Sequence, residues 1–146
     1  MKKYLHLFIL LACAFLTSSC NLEDDINELF INKTWYITGG RLNSQDLNTE
    51  VKNFYTDAGK GIYNILFQEN TFVGTMANGH TFSGKWSVNP KTRDLSLNIT
   101  SEPAVDSPFE RNVYVVLKGT KYYEGDSNYL ILYTDKNNYI RLSNER

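Results

Sequence analysis

The chain has 146 residues, with 15 Lys and Arg against 16 Asp and Glu, a net charge of −1, and an aromatic content of 14%. That length suits one domain with a proper core, and the balanced charge excludes the basic footprint of a nucleic-acid binder. Two cysteines and two histidines exclude a disulfide framework and a His/Cys zinc set.

At the N-terminus, Met1, Lys2 and Lys3 precede an apolar run from Leu7 to Leu16. This is a signal-peptide pattern, too short for the roughly 20 apolar residues that span a bilayer. Ser18, Ser19 and Cys20 follow, which resembles the lipobox of bacterial lipoproteins, with Thr17 at the usual Leu position and Leu16 one place earlier. The resemblance implies that residues 1–19 are a leader and that Cys20 is acylated, with palmitate among the chains, tethering the protein to the outer membrane. Each buried methylene contributes about 0.8 kcal/mol to such an anchor. The acidic run Glu23, Asp24, Asp25 is similar to the export signal of Bacteroidetes surface lipoproteins, and reads equally well as a charged spacer. Losing Lys2 and Lys3 with the leader leaves 127 residues with 13 basic and 16 acidic side chains, a net of −3. Cys13 departs and Cys20 is consumed, so no thiol remains for a disulfide in an oxidising compartment. No later apolar run has transmembrane length. The expected division is a leader over 1–19, a lipidated acidic tether and short helical turn over 20–32, and one β domain over 33–146.

Asp25 and Glu28 have capping-box spacing for a turn of helix over Ile26 to Phe30. A strand over Trp35–Leu42 comes next. Leu47, Val51, Phe54 and Tyr55 then recur at i, i+4, i+7 and i+8, predicting an amphipathic helix over Asp46–Asp57 stopped by Gly59. Strands over Ile62–Phe67 and Thr71–Met76 are separated at Glu69-Asn70. Asn78-Gly79 offers the two positive-φ positions of a type I′ turn. Phe82, Gly84, Trp86 and Val88 alternate with Ser83, Lys85 and Ser87, the period of a half-buried antiparallel strand. Asn89-Pro90 turns the chain through Lys91 and Thr92 into Leu95, Leu97 and Ile99, which keep the same rhythm. Ser101–Pro108 reads as loop, Val113, Val115 and Leu117 as a further strand, and Asp126-Ser127-Asn128 as a turn. Asp135–Asn138 joins Tyr129–Thr134 to Tyr139–Leu142. The count is about eight strands, enough for a curled antiparallel sheet or a small barrel with one or two short helices.

Little catalytic chemistry is visible. His80, the one histidine beyond the leader, is expected at the surface of a turn, and no G-x-S-x-G or phosphate-cradling stretch occurs. Glu124 and Asp126 flank Gly125, and paired carboxylates are the raw material of a glycosidase. The ten tyrosines could form a sugar or peptide platform, or simply pack, as aromatic residues do in strands. An open cavity near Trp86, Tyr129 and Tyr133 would point to a ligand held inside, and a filled interior to partner binding through the outer surface.

Three stretches, LFINKTWYITG, GTMANGHTFSGKW and YYEGDSNYLILY, together resemble a group of small Bacteroidetes lipoproteins of unknown function. More distantly they are similar to the META domain of heat-inducible envelope proteins. Ala77 stands before Asn78 where META domains carry cysteine, and the downstream Met-Ala-Cys signature is missing, so its activity does not transfer. A lipocalin-like barrel is a neighbouring option, with Lys33 where lipocalins carry glycine. The resemblance implies a mainly antiparallel, META-like β domain. The reading is a non-enzymatic, lipid-anchored envelope protein that binds a small-molecule or protein ligand, with no cofactor, metal or nucleic acid. A surface saccharide hydrolase using paired carboxylates and a stress-related structural component are the alternatives.

Overall fold

A computed structural model describes residues 22–47, 63–76 and 79–144. Residues 1–19, Cys20, Asn78 and most of the helix expected over 46–57 lie outside the described residues. The order is α1 (Leu22–Leu29), β1 (Lys33–Leu42), β2 (Gln45–Asp46), β3 (Asn64–Phe67), β4 (Thr71–Thr75), β5 (Thr81–Asn89) and β6 (Asp94–Ser101). Then come α2 (Pro108–Lys118), β7 (Tyr122–Gly125), β8 (Tyr129–Asp135) and β9 (Asn138–Ser143).

All nine strands join one antiparallel sheet in the order β2-β1-β3-β4-β5-β6-β7-β8-β9, with a further pairing of β1 to β9 that curls it into a ring. Strand β1 has three partners: Lys33 to Tyr36 pair with β3, Tyr36 to Arg41 with β9, and Arg41 and Leu42 with β2. A bulge between Ile37 and Gly39 lies within the β9 ladder, just past the end of the β3 ladder, and such an irregularity raises the local coiling that a sharp curl requires. Seven of the expected eight strands form; β7 and β2 are additional, and β2 puts Asp46 in a strand rather than at the start of a helix. It follows a two-residue loop, Asn43-Ser44, whose φ angles of 50° and 67° are those of a type I′ turn. Of the expected Asn78-Gly79 turn between β4 and β5, Asn78 lies outside the described residues; Gly79 has a positive φ of 76°, and Met76 N–H donates to His80 O. The weakest seam joins β6 to β7, with one bridged pair, Asp94 and Tyr122.

Alternation puts one side chain in two inside. Phe72 of β4, Phe82 and Trp86 of β5, Leu95 and Leu97 of β6, Leu130 and Leu132 of β8, and Ile140 and Leu142 of β9 are all buried. The two helices fill opposite ends. At one end α1 begins a turn earlier than expected, so Asp25 lies within the helix instead of capping it. Asn32, at a left-handed φ of 56°, ends the turn that follows, a backbone position that asparagine tolerates. The chain thereby drops Phe30 into the ring, its centroid 5.1 Å from Phe67, 5.1 Å from Tyr123 and 5.0 Å from Trp86. Trp35 donates its indole N–H to Leu29 O at 3.1 Å, and Trp86 donates to Gln68 O at 2.7 Å, so both buried indoles are satisfied.

At the other end lies a correction. Val113, Val115 and Leu117 belong to α2, not to a strand. Phe109, Val113, Val116 and Leu117 form its buried stripe, while Val115 is half exposed. Ser107 caps the helix: its hydroxyl accepts from Glu110 N–H at 3.1 Å, and the Glu110 carboxylate accepts from Asp106 N–H at 2.6 Å and Ser107 N–H at 3.1 Å. These bonds hold a carboxylate that is almost fully buried. Proline follows the cap, where its missing N–H costs nothing. Phe109 then packs edge-on against Tyr63 at 5.1 Å.

Candidate functional site

Trp86 points inward and is buried, whereas Tyr129 is half exposed and Tyr133 stands on the outer face, so the three do not share a cavity. Phe30, just after α1, and Phe67, Phe72 and Phe82 of β3, β4 and β5 gather with Trp86 in the buried core.

The outer face carries a row set by register. Tyr122 of β7 lies opposite Tyr133 of β8, which lies opposite Tyr139 of β9, which lies opposite Arg41 of β1. Three strand intervals make the row roughly 14 Å long. Tyr122 and Tyr133 are stacked at 4.7 Å with an 8° interplanar angle, and Tyr139 lies 5.5 Å beyond, tilted by 49°. Side chains stand roughly perpendicular to a sheet, so stacked rings show solvent their edges and hydroxyls. Their faces are largely spent on each other, which disfavours a sugar-stacking platform and suits a ridge of tyrosines.

The Tyr133 hydroxyl donates to Glu124 at 3.1 Å. Partial burial, then this bond and the carboxylate charge, push the Tyr133 phenol up to about 12. Burial, followed by the charges of Glu124 and Asp135, also raises Tyr122. Tyr122 and Tyr133 are thus neutral phenols throughout the physiological range.

A second feature is a groove of about 320 Å³ at the α1 end of the ring. Ile26, Glu28 and Leu29 of α1 form one wall, Pro90 and Arg93 of the β5–β6 turn another, and Tyr123, Gly125, Asp126 and Ser127 of the β7–β8 hairpin the third. Arg93 adopts a left-handed φ of 60° in a turn braced by Lys91 N–H donating to Asn89 and by the Thr92 hydroxyl donating to Asp94. Asp126 accepts from Asn128 N–H at 2.8 Å and Tyr129 N–H at 3.2 Å, fixing its hairpin. Lys33 and Asn144 both donate to Ser127 O, at 2.9 and 2.7 Å.

The acidic pair of the sequence is thus divided in role. Glu124 braces the tyrosine row, Asp126 shapes a turn and lines the groove. His80 is half-buried, its Nδ1 3.4 Å from Asp106 Oδ2, joining the β4–β5 loop to the segment before α2. Among the described residues no cluster of three or more His, Cys, Asp or Glu is arranged to hold a metal, and no helix is long and apolar enough to cross a membrane. The tyrosine row had one signal in the sequence, the outward phase of β8 and β9, but its register needed the folded sheet.

The family model described as a domain of unknown function, DUF4847, matches residues 21–144. A crystal structure of a DUF4847 family protein from Bacteroides vulgatus is similar to this chain, with a TM-score of 0.64 at 24% identity, over 82% of this chain and 97% of that one. No curated protein matches.

Proposed function

The chain belongs to the DUF4847 family, whose function is unknown, and from that premise we propose that it is a non-enzymatic, lipid-anchored protein of the bacterial outer membrane that binds a macromolecular partner through its outer tyrosine row. The row of Tyr122, Tyr133 and Tyr139 ending on Arg41 carries this reading. Tyrosine and arginine are the residue types that dominate interface hot spots, and rings already fixed by stacking lose little freedom on contact. The packed aromatic cluster around Trp86 supports it, since those rings face the core and leave the outward tyrosines for a partner. The signal-like leader and the Ser-Ser-Cys join support the anchor at Cys20.

Hydrolysis by paired carboxylates has weaker support. Glu124 holds a tyrosine and Asp126 holds a turn. The groove's Glu28 and Asp126 are both exposed, whereas a carboxyl acting as a general acid depends on withdrawal from water.

Two measurements test the proposal separately. Mass spectrometry of the native protein should find acyl chains on Cys20, and Cys20→Ala should leave the membrane fraction; a free thiol in the native protein defeats the anchor. Replacing Tyr122, Tyr133 and Tyr139 with serine together should weaken saturable binding to isolated envelopes by more than roughly 30-fold, the scale of one hot-spot residue. A folded triple variant that binds as well as the parent defeats the row.

A further inference from the structure

We propose that the groove at the α1 end holds the headgroup of a zwitterionic phospholipid, a phosphate joined to an ammonium as in phosphatidylethanolamine. The proposal rests on the lipid-anchored reading for its orientation and on the groove's own charges for its chemistry. Arg93 and Glu28 stand on different walls of one groove. Among the described residues neither side chain has a hydrogen bond or an ion pair, with each other or with anything else. Exposed opposite charges on two walls of one groove match a ligand that carries both signs on atoms separated by a short linker. Guanidinium presents a planar fork of donors that suits phosphate oxygens, and an ammonium is satisfied by carboxylates, here Glu28 and, on another wall, Asp126. Ile26, Leu29 and Pro90 supply apolar wall for the carbon backbone between and beyond the charges.

Position selects the source. Helix α1 starts at Leu22, two residues after Cys20, and its eight residues rise about 12 Å. A chain anchored at Cys20 therefore keeps the groove beside Ile26 and Leu29 within one short helix of the bilayer, where headgroups are the most concentrated ligand.

The test uses the full chain carrying Cys20→Ala, so that no acyl group contributes. Glycerophosphoethanolamine titrated into it should shift the amide resonances of Gly125, Asp126 and Ser127 saturably. Arg93→Asn, which suits the left-handed backbone, and Glu28→Gln, on an exposed helix face, should each weaken the binding roughly tenfold or more. Inorganic phosphate or ethanolamine alone should bind at least about tenfold more weakly than the joined compound. Phosphate alone binding as well as the zwitterion, or no shift at all, overturns the proposal. Vesicles of phosphatidylethanolamine and phosphatidylcholine should sediment the same chain better than vesicles of phosphatidylglycerol and phosphatidylcholine. Binding of the free compound without this preference overturns the membrane source. An unmodified Cys20 thiol in the native protein would refute the anchor while the titration still reads the groove, so the two failures are distinguishable.

Discussion

At the scale of single residues, Tyr133 links the sheet to pH. Its folded-state phenol ionises near 12 against a usual value of 10. A group raised in this way stabilises the fold fully below the unfolded value, and that contribution is lost as pH climbs through the folded one. Thermal midpoints should therefore fall between pH 10 and about 12, and fall less in Tyr133→Phe, which has no proton to lose; an equal decline in both would show that Tyr133 is not responsible. Phe30 is the other decisive residue. Fully buried and touching three rings, it is where α1 grips the sheet. Phe30→Ala should cost about 3–5 kcal/mol in denaturant unfolding. Its importance is invisible in sequence, where Phe30 is one apolar residue beside Leu29 and Ile31. The stacking of Tyr122, Tyr133 and Tyr139 was equally hidden, since it depends on which strands meet and in what phase.

At the scale of elements, local chemistry was legible and the choice of period was not always. The run from Phe82 to Val88 alternates without interruption and is a strand, with Phe82, Gly84 and Trp86 buried as expected. Val113, Val115 and Leu117 alternate too, but over too short a span to decide. The stride through Phe109, Val113, Val116 and Leu117 is helical, and Ser107-Pro108 with Glu110 is a helix start that settles it. Ser107→Ala should lower stability by about 1 kcal/mol, with Ser107→Asp recovering most of it, because either oxygen accepts the Glu110 N–H. Gly74 faces Phe82 across β4 and β5, and a Cβ there would lie 2.1 Å from the ring. Gly74→Ala should cost about 1–3 kcal/mol, measurable in the same unfolding experiment, because the buried ring has little room to retreat. Between β6 and β7 only Asp94 and Tyr122 are bridged, flanked by Leu95 N–H to Lys121 O and Tyr123 N–H to Arg93 O. Native-state hydrogen exchange should find these two amides opening before that of Leu132, in the middle of the paired β8 strand.

At the scale of the molecule, the class of fold followed from alternation and turn residues, whereas the closure did not. Hairpins such as β8–β9 announce themselves because a short turn fixes their register. The meeting of β1 with β9 has no such local sign, for Arg41 and Tyr139 lie far apart in sequence. That meeting has a consequence for how the protein comes into being. During synthesis the first strand emerges with half of its ladder unanswered, and its partner is the last of the described strands to appear. The molecule cannot complete itself from its front end; it must wait, and the search that ends the wait is long-range and slow, on the millisecond-to-second scale of non-local β topologies. A nascent chain halted before Asn138 would keep Tyr36 to Arg41 as an open edge, ready to pair with a neighbour instead of with itself.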